Sequence, residues 1–132
     1  MSNSSDNPQS GFTDVRTVGI VVDDQQRALD FYTGTLGFEV RVDAPFPGGR
    51  WIEVAPPGGL TSVALMASHE TSTAGGDTGV RFTTVDADAE HARLSGAGVT
   101  MGSDVLRWPG VPAMFTFIDP DGNTLYAVER AH

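Results

Sequence analysis

The chain contains no cysteine and no lysine, and it has only three histidines, His69, His91 and His132. Without cysteine there is no disulfide, no thiolate nucleophile and no sulfur-ligated zinc. Without lysine, Schiff-base chemistry through a side-chain amine is excluded, and all eight basic residues are arginine. No apolar run approaches the roughly 20 residues of a membrane span, so no membrane partner is expected. The opening "MSNSSDNPQSG" lacks the basic and apolar pattern of a secretion signal. It reads as a disordered tail over residues 1–13, with the cytoplasm as the expected location. Positive charge is scarce too: the formal net charge is −9. That excess repels nucleic acid. It serves solubility, or the attraction of a cationic small molecule.

What is present suits one folded unit. A chain of 132 residues suggests a single domain, here residues 14–131, able to bury about two-thirds of its unfolded surface. A hydrophobic content of 39% separates it from disordered chains.

The order of elements is written twice. "VRTVGIVVDD" (Val15 to Asp24) is a β-rich run whose Asp24 can cap a helix over Gln25 to Leu36, with Ala28, Phe31, Tyr32 and Leu36 on one face. Gly37 is the expected left-handed stop. Strands follow at Phe38 to Ala44, Arg50 to Ala55 and Thr61 to Ala67, separated by "PFPGG" and "PPGG". This first module spans about 14–68. Residues 69–78, polar and small, read as a linker. The second module, 79–131, begins with the strand Gly79 to Asp86. Asp86 caps a helix through Leu94, "GAG" ends it, and "VTMGSDV" is a weaker strand. "RWPGVP" reads as a loop, and "AMFTFID" and "TLYAVER" are strands around "PDGN". Val21 matches Thr83 and Ser62 matches Thr124, each 62 positions later. Equal offsets at both ends of the module point to an internal duplication. In the turn Asp119-Pro120-Asp121-Gly122, proline sets φ, Asp119 can accept a backbone N–H and Gly122 tolerates positive φ. Its two acids are assigned to the turn rather than to chemistry.

"RALDFYTGTLGFEV" (Arg27 to Val40) and "FIDPDGNTLYAVE" (Phe117 to Glu129) resemble the vicinal oxygen chelate superfamily. That group includes glyoxalase I, bleomycin-resistance proteins, fosfomycin-resistance transferases and extradiol dioxygenases. The resemblance runs from about Val15 to Arg130. It implies an α+β fold of two tandem β-α-β-β-β modules, forming curved mixed sheets around a cavity with the helices on the convex faces. It also implies a homodimer whose cavities use both chains. In metal-dependent members, His, Gln or Glu ligands come from the first and last strands of each module. The resemblance places those positions at Thr17, Ala64, Gly79 and Tyr126. None is a competent ligand for a divalent metal: glycine and alanine have no donor, a neutral hydroxyl is weak, and a phenol ionises only near a pKa of about 10. The three histidines lie in different parts of the sequence. No metal or other cofactor is therefore expected.

Strand alternation then assigns directions. If the four family positions face the cavity, so do Gly19, Val21, Ser62, Met66, Arg81, Thr83, Thr124 and Val128. Val18, Ile20, Val22, Val63, Leu65, Val80, Phe82, Leu125 and Ala127 face the helices. Tyr126 offers a ring and a hydroxyl, or it fills the space that a metal site would take. Arg81 either binds a carboxylate or phosphate or pairs internally with Glu53 or Asp104. Trp51, Trp108, Phe46 and Met114 lie on or beside the connecting strands and loops and suit a flat, partly aromatic small molecule, although Trp51 can equally be core. Three functions compete. One is metal-free binding and sequestration of a small molecule, as in antibiotic resistance. The second is a metal-dependent lyase, dioxygenase or thiol transferase. The third is a metal-independent enzyme using Tyr126 as acid or Arg81 as an electrostatic clamp.

Overall fold

Residues 9–131 are described by the computed structural model, so the expected tail over 1–13 and His132 fall largely or wholly outside the described residues. The first module runs β1 (Thr17–Val22), α1 (Gln25–Asp30), β2 (Glu39–Phe46), β3 (Gly49–Ala55) and β4 (Ser62–Ala67). The second runs β5 (Asp77–Thr84), α2 (Ala87–Gly96), β6 (Thr100–Met101), β7 (Leu106–Trp108), β8 (Val111–Ile118) and β9 (Thr124–Glu129). The strands form two open, curved sheets, ordered β1-β4-β3-β2 and β5-β9-β8-β6, with β7 added beside β8. In each, the first strand pairs in parallel with the last and the other pairings are antiparallel. The fold is α+β.

Both helices start where an aspartate accepts a first-turn N–H. Asp24 takes that of Arg27, and Asp86 that of Ala89. The first helix does not stay regular to Leu36. From Phe31 to Thr35 it widens to a π turn, with Leu36 N–H reaching the Phe31 carbonyl. Thr33, Gly34 and Thr35 are weak helix formers, and Thr33 Oγ1 bonds to the Leu29 carbonyl. Gly37 then turns at φ 81°, as expected of a helix terminator.

Three connections differ from their sequence reading. "RWPGVP" is a β-hairpin, not a loop, with Trp108 paired to Val111. Its apolar strand residues gain a ladder from β8 that a local reading does not see. β2 continues through Pro45 and Phe46. Proline is tolerated there because β2 is the sheet edge, where no partner needs its missing N–H. The linker is anchored: His69 and Ser72 exchange backbone hydrogen bonds, and Gly75 N–H donates to Asn123 Oδ1. Its last two residues, Asp77 and Thr78, belong to β5.

The residues assigned from sequence to the helix side are the ones in or against the core, although on β4 Ser62 and Ala64 of the other face are buried as well. Ile20, Val22, Val63, Leu65, Leu125 and Ala127 are in the core with Ala28 and Leu29 of α1 and Leu94 of α2, and Val18, Val80 and Phe82 pack against it. A chain of aromatic rings, Tyr32, Phe38, Phe82 and Phe117, carries this core from one module into the other. The turn after β8 adds polar ties. Asp121 accepts from the Asp23 backbone and from Arg27, Asn123 Nδ2 donates to the Val21 carbonyl, and Tyr32 Oη donates to Asp119. On the faces away from the helices Met66 and Arg81 are exposed, while Glu53, Ser62 and Ala64 are buried.

Candidate functional site

The open face of the second sheet carries a cluster that depends on a local irregularity. Thr124 of β9 pairs with Asp77 of β5, but Tyr126 pairs with Arg81. Four residues of β5 therefore lie opposite two of β9. The bulge is at Thr78 and Gly79. Gly79 takes a φ of 68°, a region L side chains avoid, and Thr78 Oγ1 bonds to the Thr124 carbonyl. As a result, the position opposite Thr124 is filled by Asp77 rather than by Gly79 as the 62-residue offset predicts. Tyr126 Oη donates to Asp77 Oδ2 at 2.6 Å, and the Gly79 N–H donates to Asp77 Oδ1 at 2.9 Å. These bonds, the phenol's first, hold the Asp77 carboxyl below its ordinary range, and the bond to Asp77 pushes the Tyr126 phenol up.

Arg81 is beside Tyr126, not across a cavity from it. Its guanidinium carbon is 4.5 Å from the Tyr126 ring centroid, a cation–π contact, and Nη1 donates to the Gly79 carbonyl at 2.6 Å. Arg81 is exposed and forms no salt bridge among the described residues. Neither Glu53 nor Asp104 pairs with it. A cleft of about 870 Å³ runs between the outer edges of β1 and β5, under the Pro56–Thr61 loop. Gly19 and Ser62 line it from the first module, and Gly79, Arg81 and Thr83 from the second.

The first sheet presents a buried acid instead. Glu53 is 3% exposed. It accepts from Ser62 Oγ at 2.6 Å, Trp51 Nε1 at 2.7 Å and Arg16 Nη2 at 3.4 Å. The Ser62 and Trp51 bonds lower its pKa against the opposing effect of burial. Trp51 thus shares the open side of β3 with Glu53, opposite the core residues Ile52 and Val54.

The metal positions do not fit a metal. Ala64 and Gly79 bring no donor, Thr17 Oγ1 donates to the Ser62 carbonyl, and the Tyr126 proton is held by Asp77. Glu53, the register partner of Ala64, is engaged by three protein donors. Among the described residues no three His, Asp or Glu side chains converge to hold an ion.

The six residues singled out from sequence are not all together. Arg81, Tyr126 and Met114 share the open side of the second sheet, Met114 lying opposite Val128 on β8. Trp51 belongs to the first sheet. Phe46 and Trp108, each about half exposed, sit at the ends of the β2–β3 and β7–β8 hairpins. Of the six, Arg81 alone lines the large cleft. Sequence reasoning missed Asp77, because it was counted in the linker. Its signal was an acid two residues before a strand glycine. Glu53 was noticed only as a partner for Arg81. A lone acid two positions after Trp51 in "RWIEVA" marked it.

Residues 15–126 match the model of the Glyoxalase/Bleomycin resistance protein/Dioxygenase superfamily, and the chain belongs to that superfamily. A member of the same superfamily from Sphaerobacter thermophilus has a crystal structure with TM-score 0.84 and 37% identity, over 90% of this chain and 98% of that one. TnmS3, an antibiotic binding protein from Streptomyces sp. CB03234, has TM-score 0.85 and 34% identity over 93% of this chain and 100% of that one. The uncharacterized protein YetH of Bacillus subtilis (strain 168) is 31% identical over 87% of this chain and 97% of its own length.

Proposed function

We propose that this protein binds and sequesters a small, flat, partly aromatic molecule without a metal or other cofactor and without transforming it. The observation that carries this reading is Arg81. It is an exposed guanidinium held over Tyr126 and lining the large cleft, near the Asp77 carboxylate but in no salt bridge among the described residues, so its fork is left for a ligand. The likeness to TnmS3 supports it. The donor set supports the metal-free part. The Asp77-bound phenol is no ready general acid, which counts against the metal-independent enzyme. A homodimer in the cytoplasm belongs to the same proposal, because the open faces and the half-exposed Phe46 and Trp108 suit covering by a second copy.

The test is a thermal-shift screen of aromatic acids and antibiotics, followed by titration of the hits. Arg81→Ala should weaken binding by about tenfold or more for an anionic ligand, and Tyr126→Phe by less. Elemental analysis after purification without chelator should give far less than one Zn, Ni, Fe or Mn per chain. Hits indifferent to both substitutions, or a stoichiometric metal, would sink the reading.

A further inference from the structure

We propose that the site selects hydroxylated aromatic ligands that present an O–H donor beside a carboxylate or carbonyl acceptor, with Tyr126 serving as the hydrogen-bond acceptor and Arg81 as the donor. This rests on the binding reading above and assigns its polarity.

A tyrosine hydroxyl carries one hydrogen and two lone pairs. Here the hydrogen is committed to Asp77 Oδ2 at 2.6 Å, a short bond to an ionised acceptor. Asp77 is itself fixed by the Gly79 N–H at 2.9 Å, so the carboxylate is held in place to keep that proton. What Tyr126 Oη has left to offer is acceptor capacity. A ligand atom approaching it must therefore bring its own hydrogen, and an ether or carbonyl oxygen meets only lone pairs.

Arg81 has the opposite polarity. A guanidinium has five N–H donors and no acceptor. One donor goes to the Gly79 carbonyl at 2.6 Å, and no other hydrogen bond of the group is found among the described residues. The remaining donors form a planar fork suited to a carboxylate or a pair of carbonyl oxygens. The group lies over the Tyr126 ring at 4.5 Å. That side of the ring is taken, so the ligand's acceptor meets the fork at its edge, in the plane of the guanidinium. The net charge of −9 works against polyanions, so the pull on an acceptor group comes from Arg81 itself.

Three probes separate the polarities: meta-hydroxybenzoate, meta-methoxybenzoate and benzoate, each titrated into the full chain by chemical-shift changes. The hydroxy compound should bind about fivefold to tenfold tighter than the methoxy compound, the worth of one hydrogen bond to a fixed acceptor. Asp77→Ala frees the phenol to rotate and donate. It should bring the hydroxy-to-methoxy ratio to about two or less, with any general electrostatic gain cancelling in the ratio. Tyr126→Phe removes the acceptor, keeps the ring and should bring the ratio near one. Equal binding of the two compounds to wild type, with binding lost in Arg81→Ala, overturns the polarity and leaves the binding site standing. Binding that Arg81→Ala leaves unchanged, or no binding of any probe, overturns the site and this inference together.

Discussion

Tyr32 is fully buried, and its hydroxyl donates to Asp119 Oδ2 at 2.9 Å. Burial first, and then the Asp119 charge, push the phenol far above its ordinary range. It stays neutral and acts as a donor throughout the stable range of the protein. Asp119 keeps three other donors, from the Asp121 and Asn123 backbones and from Asn123 Nδ2. Tyr32→Phe should therefore cost about 1–2 kcal/mol in urea unfolding rather than abolish folding. Glu53 has a pH signature. Its folded-state pKa is below the ordinary 4.5, so the ionised form contributes stability above that value, and the contribution is lost as pH falls through the lower, folded value. The stability difference between wild type and Glu53→Gln should be flat from about pH 6 to 8 and should shrink on acidification below about pH 4.5. A difference that grows in acid would contradict the assignment.

At the level of elements, the bulge in β5 brings Asp77, Arg81 and Tyr126 together. Gly79 has positive φ, which costs an L side chain about 1–2 kcal/mol. Gly79→Ala should lose about that much stability, and by disturbing the carbonyl that holds Arg81 it should also weaken binding that depends on Arg81. Gly76→Ala is the control. A Cβ there meets nothing within 4 Å and Gly76 has ordinary backbone, so melting should shift little. The elements themselves were largely readable. Asp24 and Asp86 announced their helices, and alternation separated the faces of β1, β4 and β9 correctly. The hairpin at Trp108 was not readable. Proline and glycine in "RWPGVP" signal a turn, while the partner that makes its flanks into strands is β8.

For the molecule as a whole, Asn123 ties three segments: it donates to the Val21 carbonyl and to Asp119, and accepts from Gly75 N–H. Asn123→Ala should cost about 2–4 kcal/mol, because it strands a carbonyl and an N–H. The core is continuous across both modules, so unfolding should remain a single transition by far-UV and aromatic probes. Two separated transitions in the wild type would refute that continuity. Light scattering should give roughly twice the 13.9 kDa chain mass if the proposed second copy covers the open faces, and a monomer at high concentration would count against it. The sequence by itself determined the two modules, their helix caps, the turn at Asp119 to Gly122 and the inward and outward faces of the strands. Each of these follows from the chemistry of residues near one another in the chain. It also determined that Thr17, Ala64 and Gly79 bring no side chain suited to a divalent metal, since side-chain identity needs no fold. The tertiary structure decided which way the Tyr126 proton points, that Arg81 lies beside Tyr126, and that Asp77 meets the Tyr126 hydroxyl. Those outcomes depend on the register between β5 and β9, set by bonds such as that between Asp77 and Tyr126, 49 residues apart. Local pattern reports which face a residue is on, and only the partner strand fixes what it meets there.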